Sequence, residues 1–165
     1  MKIHILLTGG TIDKHYIESN GKMNFANSHI ADILEQGRNR SEIEIEQVIF
    51  KDSLDITPAD LALIAKACAS SKCDKVLVTH GTDTMVNTAR YITKNLPELA
   101  QKKCIVFVGA MIPHVISYSD STFNIGFALG ALSAINNGIY IAMNGQIFSA
   151  DNVKKNTSIG EFQLS

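Results

Sequence analysis

The chain has 165 residues, enough for one substantial hydrophobic core but not two. Its 15 basic and 16 acidic residues leave a formal net charge of -1, so no bulk electrostatic attraction draws it to nucleic acid or to an anionic membrane. Those partner classes are set aside, and a small molecule is the expected ligand.

In chain order, Ile3 to Leu7 reads as a buried strand, and Asp13 to Asn27 as a polar, mobile loop and candidate lid. Ile43 to Phe50 is a strand whose alternation with Glu44 and Glu46 gives it one solvated face. Thr57 then caps a helix that has Pro58 at its first position and Leu61, Ile64, Ala65 and Cys68 on one face. Lys75 to Val78 and Cys104 to Val108 are apolar strands, Thr84 to Asn95 and Phe123 to Asn136 are helices, and Gly138 to Met143 is a fifth strand. From Asn144 onward the chain is polar and is expected to bury little of itself. Strands alternating with helices predict an α/β fold: a doubly wound, mostly parallel sheet with helices on both faces, in a single domain over 1-165.

Cys68, Cys73 and Cys104 have no C-x-x-C spacing and no adjacent histidine cluster, so they are read as reduced core cysteines, and no metal site is expected. The opening apolar run reaches Thr8-Gly9-Gly10 too soon for a signal-peptide core, and no later run is long enough to cross a bilayer. A cytoplasmic location is the expectation.

Two segments carry the chemistry: Leu7-Thr8-Gly9-Gly10-Thr11-Ile12 and Val78-Thr79-His80-Gly81-Thr82-Asp83-Thr84-Met85. In each, a buried-strand pattern breaks at glycine and delivers a threonine hydroxyl into the next turn, where open α/β sheets hold their ligands. Neither has the G-x-G-x-x-G spacing nor the Gly-Lys-Ser/Thr ending of a phosphate loop. Taken singly, Thr and Gly after a strand also serve as a tight turn and a helix cap.

Together the segments resemble the bacterial-type L-asparaginase family, the asparaginase/glutaminase amidohydrolases. Thr-Gly-Gly-Thr-Ile matches at Thr8 to Ile12, and Thr-His-Gly-Thr-Asp-Thr-Met matches at Thr79 to Met85. The likeness continues through Asp52-Ser53, Val108-Gly109-Ala110-Met111, Pro113, Phe123-Asn124 and Asn152-Val153-Lys154-Lys155. The resemblance implies hydrolysis of L-asparagine to L-aspartate and ammonia, without a cofactor. Thr11 would be the nucleophile that forms an acyl-enzyme, assisted by Tyr16, while Thr82, Asp83 and Lys155 would form a hydroxyl, carboxylate and ammonium relay. Ser53 and the backbone at Thr82 would grip the substrate carboxylate, Asp83 would accept its ammonium, and backbone groups near Thr82 and Ala110 would hold the scissile amide. Asparagine is expected to be preferred over glutamine.

Plainer readings stand beside these. Tyr16 reads equally as a loop tyrosine, and Lys155 beside Lys154 as a solvated lysine. His4, His15, His29 and His114 are read as structural or surface residues, and His80 as a buried turn residue that positions Thr82. Leu54 stands where many members have Gln, and Ile112 where Arg is frequent. Typical members carry a C-terminal domain that donates an acidic residue to a neighbouring site. By resemblance, this chain is expected to be a short, single-domain form working as a homo-oligomer built from dimers, with the apolar Phe123 to Leu132 helix needing cover. An amino-acid sensor with little catalysis, or a hydrolase of another amide such as glutamine, are the alternatives.

Overall fold

Continuous apolar runs form the interior strands, because a strand covered on both faces has no solvated side to alternate with. The computed structural model describes residues 2–165. In chain order it contains β1 (Lys2–Gly9), β2 (Lys14–Ile17), β3 (Lys22–Phe25), α1 (Ile30–Gln36), β4 (Glu42–Lys51), α2 (Pro58–Ser70) and β5 (Lys75–Thr79). There follow α3 (Met85–Asn95), α4 (Leu99–Lys102), β6 (Cys104–Val108), α5 (Ser121–Ala134), β7 (Gly138–Met143), β8 (Gln146–Ser149), β9 (Lys154–Asn156) and β10 (Glu161–Gln163).

The main sheet has the order β4-β1-β5-β6-β7-β8, parallel throughout except for β8, which returns antiparallel to β7. β1 and β6 are buried along their length beyond Lys2, with Ile5, Leu6, Ile105 and Phe107 removed from solvent. Each such side chain contributes roughly 1.5–3 kcal/mol of burial. At the edge, β4 exposes Glu42, Glu44 and Glu46, and Lys2 lies 3.4 Å from Glu44. A charged edge discourages pairing with further strands. Helix α2 packs with α3 and α1 with α5, which gives the doubly wound, mostly parallel α/β fold expected from the sequence.

Thr57 starts α2 through a full capping box: its Oγ1 accepts from the Asp60 amide at 3.3 Å, and Asp60 Oδ2 accepts from the Thr57 amide at 2.8 Å. Lys51 Nζ also donates to Asp60 at 2.8 Å, tying the end of β4 to the start of α2. That ammonium and the cap donors hold the Asp60 carboxyl down at about 2. Helix α5 spans Ser121–Ala134, two residues earlier at each end than the apolar pattern suggests. The turn at Asn136 and Asn137 already belongs to the approach to β7.

Two expectations are corrected. Asp13 to Asn27 is not an irregular loop: β2 and β3 form an antiparallel hairpin with Tyr16 opposite Met23, closed at Asn20 and Gly21. Its support comes from afar, since Phe25 packs edge-on against Phe50 of β4 at 5.3 Å, a contact that local periodicity cannot report. The C-terminal stretch also buries more than its polarity suggests. Phe148, Ala150, Val153 and Phe162 are all buried, and Ala150, Val153 and Phe162 are each a single apolar residue between polar neighbours.

Candidate active site

Counting only the parallel strands in chain order, the sheet runs 2-1-3-4-5. The chain leaves β1 toward β4 on one side and returns to β5 on the other, so a crevice opens between the carboxyl ends of β1 and β5. Thr11 follows β1 and Thr82 follows β5, placing both threonines at that switch point.

Glycine lets the two turns touch. Gly10 has φ +91°, and a Cβ there would lie 2.4 Å from the Gly81 nitrogen. A Cβ on Gly81 would in turn meet the Ser53 side chain at 2.6 Å. The backbones of the β1, β4 and β5 turns are therefore stacked at a spacing that no larger residue permits. Hydrogen bonds lock the stack: the Gly10 amide donates to Lys51 O at 3.0 Å, Thr8 Oγ1 to Thr79 O at 2.6 Å, and the His80 amide to Val108 O at 2.8 Å.

Lys155 Nζ donates to Thr82 Oγ1 at 2.8 Å and to Asp83 Oδ1 at 2.6 Å. The Lys155 side chain is 10% exposed and Asp83 48% exposed, so the pair lies at the rim of a nearly buried threonine. An ammonium only donates, so the Thr82 oxygen must accept from it, leaving the hydroxyl proton of Thr82 free to point elsewhere. Lys154, its neighbour, is exposed and lies outside this group.

The remaining residues named from the sequence distribute as follows. Thr11 is half-buried in a single 3-10 turn. Ser53 is buried against Gly81, and its carbonyl accepts from Thr84 Oγ1 at 2.8 Å. Ala110 is fully buried at the end of β6. Tyr16 stands on the hairpin, 58% exposed, with its hydroxyl 3.8 Å from where a Cβ on Gly21 would be. Among the described residues it makes no hydrogen bond to Thr11. Leu54 is 72% exposed.

His80 is fully buried, and burial drives its imidazole down to about 4. Its Nδ1 lies 2.8 Å from Gly81 O, an acceptor only, so the proton sits on Nδ1. Nε2 is then left to accept from Thr88 Oγ1 at 2.9 Å. A neutral ring with both nitrogens engaged holds the turn and has no nitrogen spare to act as a base.

Asp120 and the clasp at Asp13 escaped sequence reasoning. Asp120 accepts the amides of Met111 and Ile112 at 3.0 Å, and Asn124 Nδ2 bridges Gly109 O and Asp120 Oδ2, so the loop after β6 is clamped to α5. Asp13 is fully buried, and its Oδ1 accepts from Ser28 Oγ and the His29 amide, both at 2.9 Å. The rings of His15, His29 and His114 stand in a row, with centroids 4.1 and 5.3 Å apart, against this clasp. Burial raises the Asp13 carboxyl above its ordinary value despite those donors. Among the described residues, no group of three or more His, Cys, Asp or Glu side chains is arranged to hold a metal ion, and no helix is long and apolar enough to cross a membrane.

Residues 2–161 match the family described as Asparaginase, N-terminal. The L-asparaginase of Thermococcus kodakarensis is 32% identical over 169 residues, covering 97% of this chain and 49% of the relative. L-asparaginase 2 of Escherichia coli K12 is 31% identical over 167 residues, covering 93% and 46%. The solved structure of the thermostable L-asparaginase from Thermococcus kodakarensis superposes with a TM-score of 0.84 at 30% identity, covering 99% of this chain and 51% of that one. The chain thus spans about half the length of the curated relatives it matches.

Proposed function

Since this chain belongs to the asparaginase family, we propose that it is an amidohydrolase that converts L-asparagine and water to L-aspartate and ammonia. The observation that carries the reading is Lys155 Nζ bridging Thr82 Oγ1 and Asp83 Oδ1 beside the turn of Thr11. Thr11 Oγ attacks the side-chain amide carbon, its proton passes to the departing nitrogen, and ammonia leaves behind a threonine ester. Water then adds to the ester with proton transfer through Thr82 and Lys155, releasing aspartate and restoring the hydroxyl. Asp83 keeps the ammonium of Lys155 directed at Thr82 and offers its second oxygen to the substrate ammonium. Ser53 meets the substrate carboxylate, and backbone groups at Thr82 and Ala110 receive the scissile amide. For Tyr16 to assist Thr11, its ring must swing from the hairpin toward the crevice. Tyr16→Phe is then expected to slow acylation more than it weakens binding.

Ammonia release from a panel of L-asparagine, L-glutamine and their D-forms tests the reading. Turnover of L-asparagine, preferred over L-glutamine, is expected; silence on every amide despite asparagine binding would make the chain a sensor instead. Thr11→Val and Thr82→Val should each abolish turnover in a folded protein, and full activity in either refutes the roles given. A diazoketone analogue of asparagine should add its mass at Thr11. We place the protein in a reducing cytoplasm, a reading supported by three buried, unpaired thiols. A symmetric dimer covering the α5 face around Phe123, 62% exposed, is the assembly proposed, and light scattering during gel filtration decides it.

A further inference from the structure

Lys155 stands on a three-residue strand, β9, which among the described residues pairs with β10 alone, and both lie outside the main sheet. A two-stranded ribbon of this size is too weak to hold an ammonium in register with a hydroxyl on another element. Part of the anchoring is apolar, since Val153 precedes the strand fully buried and Phe162, opposite Lys155 in the ribbon, is buried too. The Phe162 amide also donates to Asn144 Oδ1 at 2.9 Å.

The remaining anchor comes from α3. Arg90 Nε donates to Ala150 O at 3.1 Å, and its Nη2 donates to Val153 O at 2.8 Å and to Ser165 Oγ at 3.2 Å. One guanidinium therefore spans two carbonyls of the turn that leads into β9, and Val153 is two residues before Lys155. Helix α3 begins directly after Thr82-Asp83-Thr84. With a rise of about 1.5 Å per residue, a rigid helix fixes the separation between its first turn and Arg90 to a fraction of an ångström. The hydroxyl and carboxylate just before α3, and the turn that delivers the ammonium, held from Arg90 in the middle of α3, are thus measured off the same rod.

We propose that Arg90 is a positioning residue that sets Lys155 in register with Thr82 and Asp83 by clamping the carbonyls of Ala150 and Val153. The proposal rests on the role given to Lys155 above. A planar fork with donors in fixed directions suits this task, and a lysine, with one rotatable ammonium, cannot hold both carbonyls in the same geometry.

The test is a double-mutant cycle in the full chain. Arg90→Gln is expected to lower kcat for L-asparagine about tenfold or more, with KM changed less than about threefold, because ångström misplacement of a reacting group costs on the order of a hundredfold. Arg90→Lys recovers only part of the loss. In a Lys155→Met background, Arg90→Gln should change the residual rate less than about twofold, since the residue it positions is gone. An equal fold-loss in both backgrounds overturns the proposal, because it would mark Arg90 as a support of the fold alone. A second readout is free of activity: in protein carrying isotope-labelled lysine, the Lys155 side-chain resonance should move to the position of a solvated lysine in Arg90→Gln and, more weakly, in Arg90→Lys. An unchanged resonance overturns the proposal. A parent chain silent on every amide, with a Lys155 resonance that still responds to Arg90, would sink the amidohydrolase reading and leave the positioning intact.

Discussion

Replacing Gly10 with alanine tests whether the stacked turns hold the two threonines in place. The new Cβ would sit 2.4 Å from the Gly81 nitrogen and 2.6 Å from its Cα, against backbone that cannot rotate away. Ordinary contact needs about 3.5 Å, so one turn must retreat by roughly an ångström. The left-handed φ of +91° adds about 1–2 kcal/mol for a residue with a Cβ. Overpacking adds about 1–3 kcal/mol, and the stiffer unfolded chain returns less than about 1 kcal/mol. Urea denaturation should therefore show Gly10→Ala less stable by about 1–5 kcal/mol. Because the shift separates Thr11 from Thr82, ammonia release by the folded fraction should fall on the order of a hundredfold. The control is Gly126→Ala on α5, where a Cβ would meet nothing within 4 Å and the backbone is helical. It should stabilise by about 0.5–1 kcal/mol. A Gly10→Ala protein within about 1 kcal/mol of the parent and retaining full turnover would refute the reasoning.

Lys155→Met should cost about 10²–10⁴ in turnover while Lys154→Met stays within about twofold, and comparable losses would dissolve the assignment. Asp60→Ala should cost about 1–2 kcal/mol at pH 7 through the lost cap. Since the folded carboxyl lies near 2, below its ordinary 3.8, its stabilisation is present above pH 3.8 and is lost as pH falls through about 2; denaturation at pH 7 and pH 2 should show the gap closing. Asp13 has the opposite sign: its raised carboxyl costs stability at neutral pH, and the cost is relieved as pH falls through the folded value. Asp13→Asn should therefore raise the melting temperature at pH 7, with the gain shrinking as pH falls through the raised folded value and gone below pH 3.8, and a loss at pH 7 would show that the charged clasp is preferred.

The parts of this protein legible in its sequence are those whose causes are local. Ile3 to Leu7 and Cys104 to Val108 are apolar without interruption because both faces of those strands are covered, and Thr57-Pro58 announces a helix with its own cap chemistry. The threonine motifs are legible because the strand-to-glycine break is local too. The hairpin was hidden because Phe25 finds Phe50 across 25 residues, and the buried end of the chain because Val153 and Phe162 are lone apolar residues whose partners lie elsewhere. Resemblance alone selects Lys155 over Lys154, because a pair of adjacent lysines does not encode the register of β9 against β10. Arg90 reads in sequence as one more solvated cation on a helix, and only the fold brings two carbonyls under its fork.

The clasp at Asp13 joins residue 13 to residues 28 and 29, and so it closes the base of the hairpin independently of what lies between. Insertions or deletions at the tip, around Asn20 and Gly21, leave both the clasp and the paired strands in place, and loop-closure cost grows slowly, by about 0.6 kcal/mol per doubling. The length of the hairpin beyond its paired strands is thus a free variable of evolution and of engineering. A graft of foreign length can be spliced into this tip while Tyr16 stays on its strand and the turn that bears Thr11 keeps its seat.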